Sequence, residues 1–128
     1  MSSRILTLAI ATALTTGCVT VPKVSEDGST EARLGQRVDL GGPKVTVLKV
    51  LEDSRCPMEA RCVWAGRVKL SVRIDLGSGT SVQELASDKP LPVADGQVEL
   101  LGTMPPKSTQ HPIAPGDYLF ALMFSGGL

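Results

Sequence analysis

Aromatic side chains are almost missing from this sequence: 128 residues hold one tryptophan (Trp64), one tyrosine (Tyr118) and two phenylalanines (Phe120, Phe124). The core must therefore be built largely from valine and leucine, and β-branched enrichment leans towards strands. Net charge is also missing, since 13 Lys and Arg balance 13 Asp and Glu. That balance excludes the basic face that nucleic acid calls for and gives no electrostatic reason to bind anionic lipid. There is a single histidine, His111, and no G-x-S-x-G, P-loop or dinucleotide fingerprint, so the usual signatures of hydrolases and nucleotide enzymes are absent. No Asp/Glu pair has a spacing that marks a catalytic dyad, and no cofactor is called for. Helical periodicity is not sustained over ten residues anywhere, and there are no internal repeats.

Long apolar runs are lacking as well. Ile5 to Leu14 is the strongest, at about ten residues, against the roughly 20 needed to span a bilayer as a helix. With Arg4 before it, this run reads as a secretory signal. Thr15-Thr16-Gly17 then leads to Cys18. The segment resembles the lipobox of bacterial lipoproteins, although Leu14 stands four positions before the cysteine where that family places a leucine at three. The resemblance implies cleavage after residue 17 and diacylation of Cys18, and two acyl chains suffice for stable anchoring. Val19 after the cysteine, rather than Asp, implies the outer membrane, facing the periplasm. The expected organisation is a signal at 1–17, a lipidated cysteine and tether at 18–35 and a β domain at 36–128. Without Arg4 the mature chain carries a net charge of −1.

Residues 19–35 contain Pro22, Gly28 and several Ser, Thr and acidic residues with no period, as a tether requires. The body then shows about six strand signals. Residues 36–40 and 44–51 lie on either side of a Gly41-Gly42-Pro43 turn. The clearest signal is 67–76, where Val68, Leu70, Val72, Ile74 and Leu76 alternate with polar residues; period two marks a half-buried antiparallel strand. Gly77-Ser78-Gly79 turns the chain into a return strand at 80–85. Residues 87–94, with Pro90 and Pro92, read as a loop, followed by a strand at 97–101. Residues 104–116 hold four prolines and read as a long loop. Residues 117–124 are apolar on both faces, as in a central strand. The expected fold is all-β, a small antiparallel sandwich or partly open barrel with one disulfide.

One motif stands out: Asp53-Ser-Arg55-Cys56-Pro57, four residues, then Cys62-Val-Trp64-Ala-Gly66. It resembles segments of a group of small uncharacterised bacterial secreted proteins and lipoproteins, which implies fold and location but no chemistry. Five residues between Cys56 and Cys62 allow a bridge within disulfide range, worth about 2 kcal/mol on the chain-entropy account. With Cys18 lipidated, these two cysteines are left to pair with each other. Trp64 is expected to pack over the bridge or over the open end of the core, Gly66 to mark a bulge or close backbone approach, and Asp53, Arg55 and Arg61 to form loop-fixing surface ion pairs.

These features point to a non-enzymatic binding or structural module of the cell envelope, held to the membrane by lipid, with loops 53–66 and 104–116 as contact surfaces for an envelope protein or ligand. The plain reading of the first loop is a staple. The alternative is periplasmic metal handling, with Cys56, Met58, Cys62 and His111 as copper or zinc ligands, or thiol redox chemistry at Cys56 and Cys62. The C-x5-C spacing between strands lacks the helix N-terminus that usually activates a redox thiol.

Overall fold

A computed structural model describes Gly17, Cys18 and residues 24–126; residues 1–16 of the expected signal at 1–17, and 19–23 of the expected tether at 18–35, lie outside them. Among the described residues eight strands follow one another: β1 Thr30–Ala32, β2 Arg37–Asp39, β3 Lys44–Asp53, β4 Val68–Leu76, β5 Gly79–Ala86, β6 Leu91–Val93, β7 Gly96–Met104 and β8 Leu119–Gly126. They form two four-stranded antiparallel sheets, β1-β8-β7-β6 and β2-β3-β4-β5. The fold is therefore an all-β sandwich and not a closed barrel. No helix among the described residues is long and apolar enough to cross a membrane.

Alternation explains most of this. In β4, Val68, Leu70, Val72 and Ile74 are buried while Arg73 faces water. The opposite inner face is supplied by Val98, Leu100, Phe120 and Leu122. β8, apolar on both sides, lies between β1 and β7 as its pattern implied. β3 breaks the rule twice: register shifts between Val47 and Lys49 and between Val50 and Glu52 leave Leu48 and Leu51 exposed. Such bulges re-aim the residues after them. Here the two shifts cancel in parity, so Asp53, like Val45 and Val47, meets the inter-sheet space.

Two strands depart from the expected six. β1 falls within the expected tether: Thr30–Ala32 pairs with β8, Val24 bridges Thr30, and Ser29, Thr30 and Ala32 are buried. The ordered body therefore begins before residue 36, and its first buried side chains are too small and polar to carry a hydrophobic period. β6 falls within the expected 87–94 loop. It is an edge strand, where Pro92, lacking an N–H, is tolerated.

Candidate functional site

The motif sits where β3 leaves its sheet, and its first residues form a clamp. The Arg55 guanidinium meets the Asp53 carboxylate side-on, with Nε–Oδ1 at 2.8 Å and Nη2–Oδ2 at 2.9 Å. Arg55 Nη1 also donates to the carbonyls of Thr103, at 2.9 Å, and Pro105, at 3.1 Å. The Tyr118 hydroxyl donates to Asp53 Oδ2 at 2.9 Å. The side chains of Asp53 and Arg55 are only 10% and 19% exposed. The clamp thus ties the end of β3 to the end of β7 and the start of β8 in the opposite sheet. Arg55 beside it holds the Asp53 carboxyl below the usual carboxylate range; burial opposes this and the Tyr118 hydroxyl assists. Burial, then the hydrogen bond to Asp53 and its charge, push Tyr118 up.

This differs from the surface pairs expected from sequence. Pairing with Arg55 was legible from its spacing, but Thr103, Pro105 and Tyr118 are distant in the chain and carry no local signal. Arg61, expected to join such a pair, forms no ion pair among the described residues.

Cys56 and Cys62 are bonded, with Cα atoms 5.8 Å apart. As a disulfide they offer no thiolate to copper or zinc. Met58 and His111 are exposed on two different loops, and no group of three or more His, Cys, Asp or Glu is placed to hold a metal among the described residues. Replacing Cys56 by serine is expected to cost about 2 kcal/mol, because a short loop regains its freedom in the unfolded chain. Chemical denaturation of the oxidised protein and the variant measures this; equal midpoints would show that the bridge is not a staple.

Gly66 closes the motif by a close approach, as expected. Its φ is +69°, and a Cβ there would lie 1.8 Å from the Ser54 carbonyl oxygen. Ser54 in turn joins the two ends of the loop: its N–H donates to the Arg67 carbonyl at 2.9 Å, and its hydroxyl accepts from the Arg67 N–H at 3.0 Å.

Trp64 corrects the expectation most sharply. It is 83% exposed, Val63 91% and Met58 67%. The disulfide and the Gly66 crossing hold this stretch off the body. The sandwich end that Trp64 was expected to cover is closed by Tyr118, which stacks on Phe120 with ring centroids 5.5 Å apart.

The two candidate loops, separate in sequence, are one structure. Met58 N–H donates to the Lys107 carbonyl at 2.9 Å. Glu59 accepts from the Ser108 hydroxyl at 2.5 Å and the Thr109 N–H at 3.0 Å, and these donors hold its carboxyl below its ordinary range. Lys107 Nζ donates to the Asp53 carbonyl at 2.5 Å. Loops 54–66 and 105–114 thereby form a braced apex, with Met58, Val63 and Trp64 bare beside Arg61. Elsewhere, a groove of about 360 Å³ beside β5 and β6 holds Arg67, Lys69, Glu84, Asp88 and Lys89, and most of these charges are spent on one another and on neighbours, Arg67 with Glu52 and Asp88 and Lys69 with Glu84. Comparison with protein-family models, with curated proteins and with solved structures found no match.

Proposed function

We propose that the protein is a lipid-anchored, non-enzymatic module of the bacterial cell envelope, and that the braced apex is its contact surface. The observation that carries this reading is the exposure of Met58, Val63 and Trp64 on one loop that is held by a disulfide, a largely buried ion pair and hydrogen bonds to a second loop. An isolated exposed apolar residue means little, but a single braced loop that bares tryptophan, methionine, valine and arginine has the composition of interface cores. Rigid scaffolds commonly carry function on their loops, and a loop already fixed in shape loses little entropy on contact. Anchoring rests on the lipobox-like segment ending at Cys18, which is exposed.

Two measurements test this. Cys18→Ser should move the protein from the membrane fraction to the soluble fraction of the cell; retention in the membrane would remove the anchor. Oxidative footprinting should find Trp64 and Met58 protected in intact cells relative to the purified protein. Equal oxidation in both settings would mean that the apex touches nothing.

A further inference from the structure

We infer that the apex contacts the interface of the bilayer that holds the lipid, so that the domain lies on its own membrane at two points. This rests on the lipid-anchored reading above. The first argument is chain direction. Val24 pairs with Thr30 in an antiparallel bridge, so at Val24 the chain arrives from the Ala32 end of β1. Ala32 pairs with Phe120, and Arg33 beside it reaches the Gly116 carbonyl at 3.4 Å. That is the end of the sandwich at which Tyr118 and the apex loops lie. The second argument is reach. Val24 is six residue steps after Cys18, a span of about 20 Å at full extension. A lipid on Cys18 therefore keeps Val24 within about 20 Å of the membrane, and the direction of the chain there favours turning the apex end towards it.

The third argument is the chemistry of the tip. Tryptophan settles at the membrane–water boundary, where its ring is half in each phase. Val63 and Met58 add apolar surface at no cost in buried polar groups. Loop 54–66 has one carboxylate, Glu59, already held by Ser108 and Thr109. Its one cation without an ion pair, Arg61, suits lipid phosphate. Because the whole chain is close to neutral, contact should not depend on anionic lipid.

Trp64 is the sole tryptophan, so its fluorescence reads this contact alone. The mature lipidated protein is reconstituted into phosphatidylcholine vesicles, with or without bromine on the upper acyl chain. The inference expects emission to move to shorter wavelength than that of soluble Cys18→Ser protein, and to be lost on bromine. Val63→Asp, at a position too exposed to affect folding, should restore water-like emission while the protein still sediments with the vesicles. Sedimentation with unquenched, water-like emission would overturn the inference, leave the anchor standing and give the apex to a protein partner. Quenching that survives Val63→Asp would also overturn it, since the tip would not be what enters. Failure of the wild type to sediment would remove the anchor and the inference together.

Discussion

Gly66→Ala is expected to be the most damaging single-methyl change in the protein. The added carbon would stand 1.8 Å from the Ser54 carbonyl oxygen and 2.4 Å from its carbon, both of them backbone, so no side chain can move aside. The φ of +69° adds strain of its own, about 1–2 kcal/mol for an L-residue. Relief requires the β3 and β4 ends to part, which breaks the Ser54–Arg67 hydrogen bonds and loosens the clamp beside them. We expect a loss of at least about 3 kcal/mol, or roughly 12 °C in melting temperature for a domain of this size. Gly41→Ala separates the two causes. Gly41 has a φ of +88° but open space around it, so it should show the backbone strain without the collision. If thermal melts put the two variants within a few degrees of each other, the close approach is not what the glycine serves.

Asp53→Ala is expected to cost about as much, roughly 3 kcal/mol, because it leaves the largely buried Arg55 without a counter-charge and the Tyr118 hydroxyl without its acceptor. The sum of separate losses should overstate the double variant. Arg55→Ala alone strands the carboxylate, whereas Asp53→Ala with Arg55→Ala strands neither charge, and the coupling should be about 1–3 kcal/mol. Additive losses in denaturant melts would show that the pair is an incidental contact. The same clamp sets the sign of the acid limb. The folded carboxyl is held below its unfolded value, so its contribution is present above the unfolded pKa, about 4, and is lost as pH falls through the lower folded value. Stability of the wild type should therefore decline below about pH 4 more steeply than that of Asp53→Asn.

Legibility in the sequence followed the reach of each interaction. β4 could be read because one strand presents its whole buried face as Val68, Leu70, Val72 and Ile74, and β8 because Phe120 and Leu122 alternate with residues that are also apolar. β1 could not, since Ser29, Thr30 and Ala32 are buried by the strand beside them and not by their own hydrophobicity. β6 was hidden by Pro92, whose cost vanishes at a sheet edge. At the site, the disulfide and the Gly66 approach were legible from spacing, and the partner of Arg55 from proximity. The second half of the clamp was not, because Tyr118 lies 65 residues from Asp53. Trp64 was misplaced because size alone argued for burial, and the closing of the sandwich end fell instead to a tyrosine that could satisfy its hydroxyl on a buried carboxylate.

The order of strands has a consequence in time. Sheet β2-β3-β4-β5 is a run of neighbours in sequence, but in the other sheet the last strand, β8, lies between the first strand and β7. Val45, Val47, Leu70, Val72, Ile74 and Leu85 therefore have only part of their facing layer, Val98 and Leu100 of β7, until Phe120 and Leu122 arrive. Contacts that join distant parts of a chain form late, after the cost of closing long loops has been met. A polypeptide emerging from the ribosome could build its middle hairpins early, yet it could not complete its core until β8 had emerged. For a protein that we propose is threaded across a membrane before it folds, a core that waits for its last strand would favour the unfolded chain that threading requires.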